Sequence, residues 1–247
     1  MSNRLRAYAL IPARSGSKGI PDKNIREIAG HPLLAYSIAF AKKINFERIL
    51  VSTDSARYQE VALRYGADCP YLRGAEASSD KAMEEDVLAD LASNLPGLGI
   101  EMPDIWVRLK PTSPLRSVRS VEAAIAALEA DPGLDSVRIV SEAEARLHVV
   151  NKDGYLEPLS PQWDPGRSVM RRDEFPRAYK PFNLDVLRHA LWIERGSAYM
   201  GRRIKPIVEH RITGLDIDDE DDLELAGALI SIKPRPQFLK PYIHDPA

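Results

Sequence analysis

Short apolar segments alternate with segments of helical periodicity along the first 140 residues. The short segments are often β-branched and bounded by turn residues, which is typical of buried strands; they are Ala7–Ile11, Ile49–Ser52, Ile105–Leu109 and Ser136–Val140. Between them, apolar residues recur every three or four positions, as in the sets Leu33/Tyr36/Phe40/Ile44 and Val118/Val121/Ile125/Leu128. The alternation predicts an α/β fold with a mainly parallel twisted sheet and helices on both faces.

The pattern changes from about Glu144 to Pro181. Lys152-Asp153-Gly154-Tyr155 is a hairpin-type turn signal, and strong helical periodicity is absent until Asn183. We interpret 144–181 as a small β-rich insertion in a single domain that spans 1–247. Beyond the insertion, the pattern predicts a helix, a strand and a final helix, over Leu184–Ile193, Ile204–Val208 and Leu223–Ile232. The tail carries Pro234, Pro236, Pro241 and Pro246, so we expect an extended segment that is either solvated or packed on a neighbour.

Charge and cysteine content exclude several classes of protein. With 34 Lys plus Arg and 36 Asp plus Glu, the formal net charge is −2. Proteins that bind nucleic acids or membrane surfaces usually carry an excess of basic residues, so we expect neither kind of partner. The single cysteine, Cys69, cannot form an internal disulfide and indicates a reducing compartment. The apolar run before Pro12 is only five residues long, from Ala7 to Ile11, which is too short for a signal peptide. We therefore expect a cytoplasmic protein.

The segment Ile11–Asn24, called here the glycine–serine segment, follows the first predicted strand. It therefore lies at a carboxyl end of the sheet, where open α/β folds bind ligands. It combines turn-forming glycines, hydroxyl donors and cations, which together suit a triphosphate: Gly16, Gly19, Ser15, Ser17, Arg14, Lys18 and Lys23. The spacing matches neither a Walker A loop nor GxGxxG. The alternative is a solvated, flexible loop with scattered cations, which the position after the first strand disfavours.

An acidic run begins at Asp216-Ile217-Asp218. If this stretch is extended, Asp216 and Asp218 point to the same side while Ile217 points into the core. Two carboxylates beside a phosphate site suit Mg²⁺, which takes one or two carboxylates together with phosphate oxygens and water. We expect the residues that follow, 219–222, to cap the next helix. The alternative is that the whole run is a solvated helix start.

A third segment, Arg108–Arg116, closes another predicted strand. Pro111 and Pro114 rigidify a loop that carries hydroxyls and cations, which suits an anionic co-substrate; a plain strand-to-helix turn is the alternative. The five histidines show no metal-ligand spacing, and no Gly-x-Ser-x-Gly motif indicates a serine hydrolase.

Together, Ile11–Asn24, Pro111–Arg116 and Asp216-Ile217-Asp218 resemble the acylneuraminate (nonulosonic acid, sialic acid-like) cytidylyltransferases in order and approximate spacing, over about Tyr8 to Ile230. The resemblance implies a Rossmann-like nucleotidyltransferase fold, a Mg²⁺ cofactor, and transfer of CMP from CTP to the anomeric hydroxyl of a sugar acid with release of pyrophosphate. Related Kdo cytidylyltransferases usually carry Arg-Leu-Pro in the first loop, whereas this chain has Lys18-Gly19-Ile20-Pro21. That difference favours the nonulosonic acid branch.

The resemblance also assigns roles to residues. It implies that Arg14, Lys23 and Asp218 act in catalysis, and that Asp216 and Asp218 hold the metal. The implied CTP-binding residues are Arg14, Ser15, Gly16, Ser17, Lys18, Lys23, Asn24, Arg73 and Ala82. The implied sugar-acid residues are Lys110, Ser113 and Arg172, with Lys110 replacing the glutamine that family members commonly have. The family further implies a homodimer in which the 144–181 insertion crosses to the partner.

Two other functions stay open from the sequence. One is a nucleotidyltransferase for another nucleotide or sugar acid, for example of the Kdo type. The other is a non-catalytic nucleotide-binding protein on the same fold.

Overall fold

The computed structural model describes residues 4–160, 171, 177–190 and 199–246. Its strands are β1 (Ala7–Pro12), β2 (Glu27–Ile28), β3 (His31–Pro32), β4 (Arg48–Ser52), β5 (Ile105–Leu109), β6 (Ser136–Ala143), β7 (His148–Val150), β8 (Leu156–Pro158), β9 (Ala178–Arg188) and β10 (Ile204–Glu209). Its α-helices are α1 (Leu33–Ala41), α2 (Ala56–Arg64), α3 (Ala75–Ser78), α4 (Glu84–Asn94), α5 (Val118–Ala130) and α6 (Glu220–Ser231).

Six of the strands form one sheet in the order β10-β6-β9-β5-β1-β4. β1 pairs in parallel with β4 and β5, and β10 pairs in parallel with β6, whereas β9 runs antiparallel between β5 and β6. The predicted mainly parallel sheet is therefore confirmed, with one reversed strand inside it.

The two faces of the sheet bury separate apolar clusters, because alternate residues of a strand point to opposite sides. On β1, Ala9 and Ile11 join Leu34 of α1 and Val121 of α5, whereas Leu10 joins the cluster that includes Leu88 of α4. The sheet thus carries helices on both faces, as predicted. Among the described residues, no helix is long and apolar enough to cross a bilayer.

The predicted helix Leu184–Ile193 is wrong over Leu184–Arg188, which belong to β9; His189 and Ala190 are helical, and 191–193 lie outside the described residues. The run Leu184-Asp185-Val186-Leu187 is buried and pairs with β5 on one side and β6 on the other. A strand buried on both faces has a nearly continuous apolar sequence, so its periodicity does not distinguish it from a buried helix.

The predicted hairpin turn in the insertion is confirmed. β7 and β8 pair antiparallel, and Gly154 between them adopts a φ of +86°, which favours glycine. Large apolar side chains on and around this hairpin are exposed: Leu147, Val149, Val150, Tyr155, Leu156 and Leu159.

The C-terminal tail packs against the body of its own chain, so its expected solvated form is wrong. Leu239 and Ile243 are buried in a cluster that also contains Leu33 of α1 and Leu223 of α6. Nearby, the Arg116 amide donates to the Tyr242 carbonyl oxygen at 3.2 Å. The tail therefore stabilises the segment that follows β5.

Candidate active site

The three segments singled out in the sequence meet in one cavity of about 370 Å³ beyond the carboxyl ends of β1 and β5. The predicted site residues that line it are Arg14, Ser17, Lys18, Lys23, Asn24, Arg73, Ala82, Lys110, Asp216 and Asp218. Other lining residues include Asp80, Met83, Glu84 and Thr112. Residues far apart in the chain thus surround one space of the size expected for a small-molecule site.

Lys23 and Gly19 join the glycine–serine segment to the aspartate pair. The Lys23 side chain is only 12% exposed, and its Nζ donates to the Ile217 carbonyl oxygen at 2.6 Å and lies 3.8 Å from Asp218 Oδ1. A Cβ atom at Gly19 would overlap the main-chain oxygen of Asp218. The close approach of the two segments therefore requires glycine at this position.

The aspartate pair adopts the arrangement that the sequence predicts. Ile217 is fully buried, whereas Asp216 and Asp218 both face the cavity. The Ile217 amide donates to the Thr112 carbonyl oxygen at 2.9 Å, which ties the pair to the segment after β5. Asp219 caps α6 as expected, because its side chain accepts from the Asp222 amide at 3.0 Å.

The segment after β5 is held from behind by Arg116. Its side chain is fully buried, lies 5.8 Å from the centre of the Phe40 ring, and donates to Ser37 Oγ at 3.0 Å and to the Lys110 carbonyl oxygen. Burial lowers the pKa of the Arg116 guanidinium, because desolvation disfavours the charged form. Arg116 thus fixes the main chain at Lys110, where the segment enters the cavity wall.

Two cations of the glycine–serine segment share one carboxylate. Arg14 Nη1 lies 2.8 Å from Asp80 Oδ1, and Lys18 Nζ lies 2.9 Å from Asp80 Oδ2. Hydrogen bonds from Lys18 and Arg14 lower the pKa of the Asp80 carboxyl. Arg14 Nη1 also donates to the Ser79 carbonyl oxygen at 3.2 Å. The connection from α3 to α4 therefore contacts both cations, which stay partly exposed.

The expected serine donors have a different partner. The Ser15 amide and hydroxyl donate to the two oxygens of Asp54, at 2.8 and 3.0 Å, and neither Ser15 nor Gly16 lines the cavity. Asn24 is buried, and its side-chain amide donates to the Arg14 carbonyl oxygen at 3.0 Å. These contacts fix the main chain on either side of Arg14.

Arg73 and Lys110 contribute further cations to the cavity. Arg73 is buried and donates from Nε to Ser78 Oγ at 3.2 Å, and burial lowers the pKa of its guanidinium. Lys110 Nζ lies 2.6 Å from Glu84 Oε1, an oxygen that also lies 2.8 Å from Arg108 Nη1. Glu84 therefore links the start of α4 to β5.

The remaining predicted sugar-acid residues lie elsewhere. Ser113 is fully buried, does not line the cavity, and donates from its hydroxyl to Asp216 Oδ1 at 3.4 Å. Arg172 lies outside the described residues.

Sequence reasoning missed the acidic residues that hold the site cations and donors. The position of Asp54 could have been predicted, because it follows β4 at the same sheet edge as the glycine–serine segment. No sequence pattern predicts that Asp80 and Glu84 lie at the site. Their positions depend on how the connection between α3 and α4 folds over the cavity, which no local pattern specifies.

The donor set fits a magnesium ion. Asp216 and Asp218 are two carboxylates on one cavity wall, beside cations that suit phosphate. Mg²⁺ in nucleotide enzymes is commonly bound by one or two carboxylates, with phosphate oxygens and water completing its octahedron. Within the described ranges, no group of three or more His, Cys, Asp or Glu side chains forms a self-contained metal site.

Comparisons with known proteins agree with this geometry. The chain is 37% identical over 122 residues to CMP-N,N'-diacetyllegionaminic acid synthase of Legionella pneumophila, covering 49% of this chain and 52% of that protein. It is 30% identical over 224 residues to N-acylneuraminate cytidylyltransferase of Escherichia coli, covering 90% of this chain and 52% of that protein. The chain thus spans about half the length of these curated relatives, and the resemblance to their family is confirmed.

The fold has a counterpart among solved structures. CMP:2-keto-3-deoxy-manno-octonic acid synthetase complexed with CTP superposes with a TM-score of 0.69 at 20% identity, covering 92% of this chain and 98% of that one. This likeness confirms the predicted nucleotidyltransferase fold. A sequence profile described as Cytidylyltransferase matches residues 8–206, which is most of the chain. The chain belongs to the cytidylyltransferase family.

Proposed function

We propose that the protein is a nucleotidyltransferase that transfers CMP from CTP to the anomeric hydroxyl of a nonulosonic, sialic acid-like sugar acid. The observation that carries this proposal is the convergence of Arg14, Lys18 and Lys23 with Asp216 and Asp218 in one cavity. Cations and carboxylates at one site suit a metal–triphosphate complex. The names of the relatives, which act on legionaminic acid and N-acylneuraminate, support the class of sugar acid.

In the proposed reaction, the anomeric oxygen forms a bond to the α-phosphorus. The bond from that phosphorus to the bridging oxygen of the β-phosphate breaks, and pyrophosphate leaves with the electron pair. Arg14, Lys18 and Lys23 neutralise the charge of the triphosphate and of the leaving group, which is the main work of a phosphoryl-transfer site. The Asp218 carboxylate, 81% exposed at the cavity, accepts the hydroxyl proton.

Asp216 and Asp218 are the proposed ligands of Mg²⁺. When bound, the ion supplies charge neutralisation at the phosphate oxygens and polarises the attacking hydroxyl. Lys23 supports this arrangement, because its ammonium donates to the main chain between the two aspartates at Ile217. The buried carbonyl contact keeps the Lys23 charge beside the carboxylates, which limits their mutual repulsion.

Different lining residues are assigned to the nucleoside and to the sugar acid. We propose that Asn24, Arg73 and Ala82 bind the cytidine; all three line the cavity. Lys110, with 34% of its side chain exposed, is the proposed sugar-acid contact. Ser113 donates a hydrogen bond to Asp216, so we assign it the role of positioning that carboxylate and not of contacting the sugar acid. The roles of Ser15 and Gly16 as phosphate donors, and that of Arg172 as the carboxylate ligand, stay predictions.

A homodimer is also part of the proposal. The β7–β8 hairpin exposes Val150 and Leu156 by 69% and 67%, and a second copy of the insertion would bury such a surface. The measurement is the molar mass in solution by light scattering. Val150→Asp is expected to give monomers, and an unchanged dimer would place the interface elsewhere. A cytoplasmic location, inferred from the lone Cys69, stays a prediction.

The reaction is tested by pyrophosphate release. The protein is supplied with Mg²⁺, CTP and a panel of sialic, legionaminic, pseudaminic and Kdo acceptors, and UTP, GTP and ATP replace CTP in parallel. We expect turnover with CTP and a nonulosonic acid. Preference for another nucleotide or for Kdo would favour the alternative transferase, and CTP binding without turnover would favour a non-catalytic protein.

Matched variants test the assigned residues. Asp218→Asn and Lys23→Ala are each expected to lower turnover by about 100-fold or more, because each removes a charge at the reacting phosphates. Asp221→Asn removes an exposed charge from the first turn of α6 and is the control, with activity near that of the wild type. Circular dichroism checks that the fold survives. Near wild-type release from Asp218→Asn or Lys23→Ala would count against the assignment.

A further inference from the structure

Asp80 forms ion pairs with both Arg14 and Lys18. Each carboxylate oxygen pairs with a different cation, Oδ1 with Arg14 at 2.8 Å and Oδ2 with Lys18 at 2.9 Å. A phosphate group with two terminal oxygens presents the same pair of acceptors. Asp80 therefore occupies the hydrogen-bonding positions that a phosphate would take from these two side chains.

The surroundings allow this carboxylate to exchange with a ligand. Asp80 lines the cavity, 49% of its side chain is exposed, and it follows the short helix α3. Arg14 and Lys18 are themselves 33% and 75% exposed, so none of the three groups is locked in the core. Ion pairs with this exposure are weak and are readily replaced by a more highly charged partner.

We propose that Asp80 is an intramolecular competitor for the phosphate site, which shares Arg14 and Lys18 with the triphosphate of the substrate and with the pyrophosphate product. A polyphosphate gains these two cations only when Asp80 gives them up. As pyrophosphate leaves, the carboxylate takes both cations back, and this exchange favours release. The inference rests on the proposed function, since it takes Arg14 and Lys18 as ligands of phosphate.

The sign of one binding measurement tests the proposal. The full chain is titrated with pyrophosphate, and separately with CTP, both with Mg²⁺ and without a sugar acid. Asp80→Asn is expected to tighten binding of both ligands by about threefold to tenfold, because it removes two exposed ion pairs that compete with the ligand. A residue that merely supported the cavity would weaken binding when replaced.

Two controls separate this effect from a general change in charge. Glu76→Gln removes the same charge from an exposed position on α3 and is expected to change the affinity by less than about twofold. In a Lys18→Met background, the gain from Asp80→Asn is expected to shrink, because one of the two competing pairs is already gone. Asp80→Ser repeats the test with a smaller side chain.

Weaker or unchanged pyrophosphate binding by Asp80→Asn and Asp80→Ser would overturn the proposal, whatever the turnover of the wild type. If the wild type bound neither CTP nor pyrophosphate, the inference and the proposed function would fail together. If it bound both ligands and released pyrophosphate in the turnover assay, a wrong sign for Asp80→Asn would overturn this inference alone.

Discussion

The contact between Gly19 and Asp218 gives the sharpest mutational prediction. A Cβ atom at Gly19 would lie closer than 3.0 Å to the main-chain oxygen of Asp218, a separation that real Cβ atoms do not show. The obstacle is backbone, so it cannot rotate away as a flexible side chain would. In Gly19→Ala, the glycine–serine segment and the aspartate pair must therefore move apart.

The size of the effect follows from this displacement. Restoring an ordinary van der Waals contact requires a shift of about 1 Å between the two segments. A misplacement of about 1 Å at a reacting centre can cost about 100-fold in rate, and overpacking costs about 1–3 kcal/mol of stability. We therefore expect Gly19→Ala to fold, to melt at a lower temperature, and to lose about 100-fold in turnover.

Gly97→Ala is the control, because Gly97 is exposed, does not line the cavity, and has no atom beyond its chain neighbours within 4 Å of the position that its Cβ would take. The assay is pyrophosphate release with CTP, Mg²⁺ and a nonulosonic acid, alongside a thermal melt. Equal activity of Gly19→Ala and Gly97→Ala would refute the reasoning that the close approach of the two segments builds the site.

Three further predictions concern the body of the protein. Leu239→Ala is expected to lower the free energy of unfolding, measured by urea denaturation, by about 2–5 kcal/mol. Phe238 is 53% exposed, so Phe238→Ala should lower it by much less. Equal losses would contradict the observed packing of the tail. Asp185→Asn removes a buried partner of Arg108 and is expected to cost about 3 kcal/mol; a neutral result would contradict this pairing. Burial raises the pKa of Cys69 to about 11, so at pH 8 the thiol should react with a disulfide reagent only after denaturation. Rapid labelling of native protein would contradict this.

Local sequence patterns predicted those parts of the site that lie at the carboxyl ends of neighbouring parallel strands. The glycine–serine segment and the segment after β5 follow strands that pair in parallel, so both had to reach the same edge of the sheet. In the sequence Asp216-Ile217-Asp218, the apolar Ile217 is buried and the two aspartates face the cavity, as the alternation of polar and apolar residues predicts. These features depend on short-range rules.

The features that sequence reasoning missed depend on tertiary context. Leu184 to Arg188 of β9 were predicted as helix because this part of the strand buries both faces, with Val186 in one apolar cluster and Leu187 in the other. The prolines of the tail indicated an extended chain, but they could not indicate that Leu239 packs into the apolar cluster between α1 and α6. Asp80 and Glu84 reach the cavity through the fold of the α3–α4 connection. Their acidic side chains are ordinary for a solvated surface, so only the assembled cavity shows that they bind the site cations.

The proposed metal–triphosphate site is tested most directly by a crystal structure of the protein soaked with CTP and Mn²⁺, read by anomalous scattering at the manganese edge. We expect an anomalous peak bound by Asp216 and Asp218, with the triphosphate contacting Arg14 and Lys23. A peak at another carboxylate cluster, or a triphosphate away from the glycine–serine segment, would contradict it.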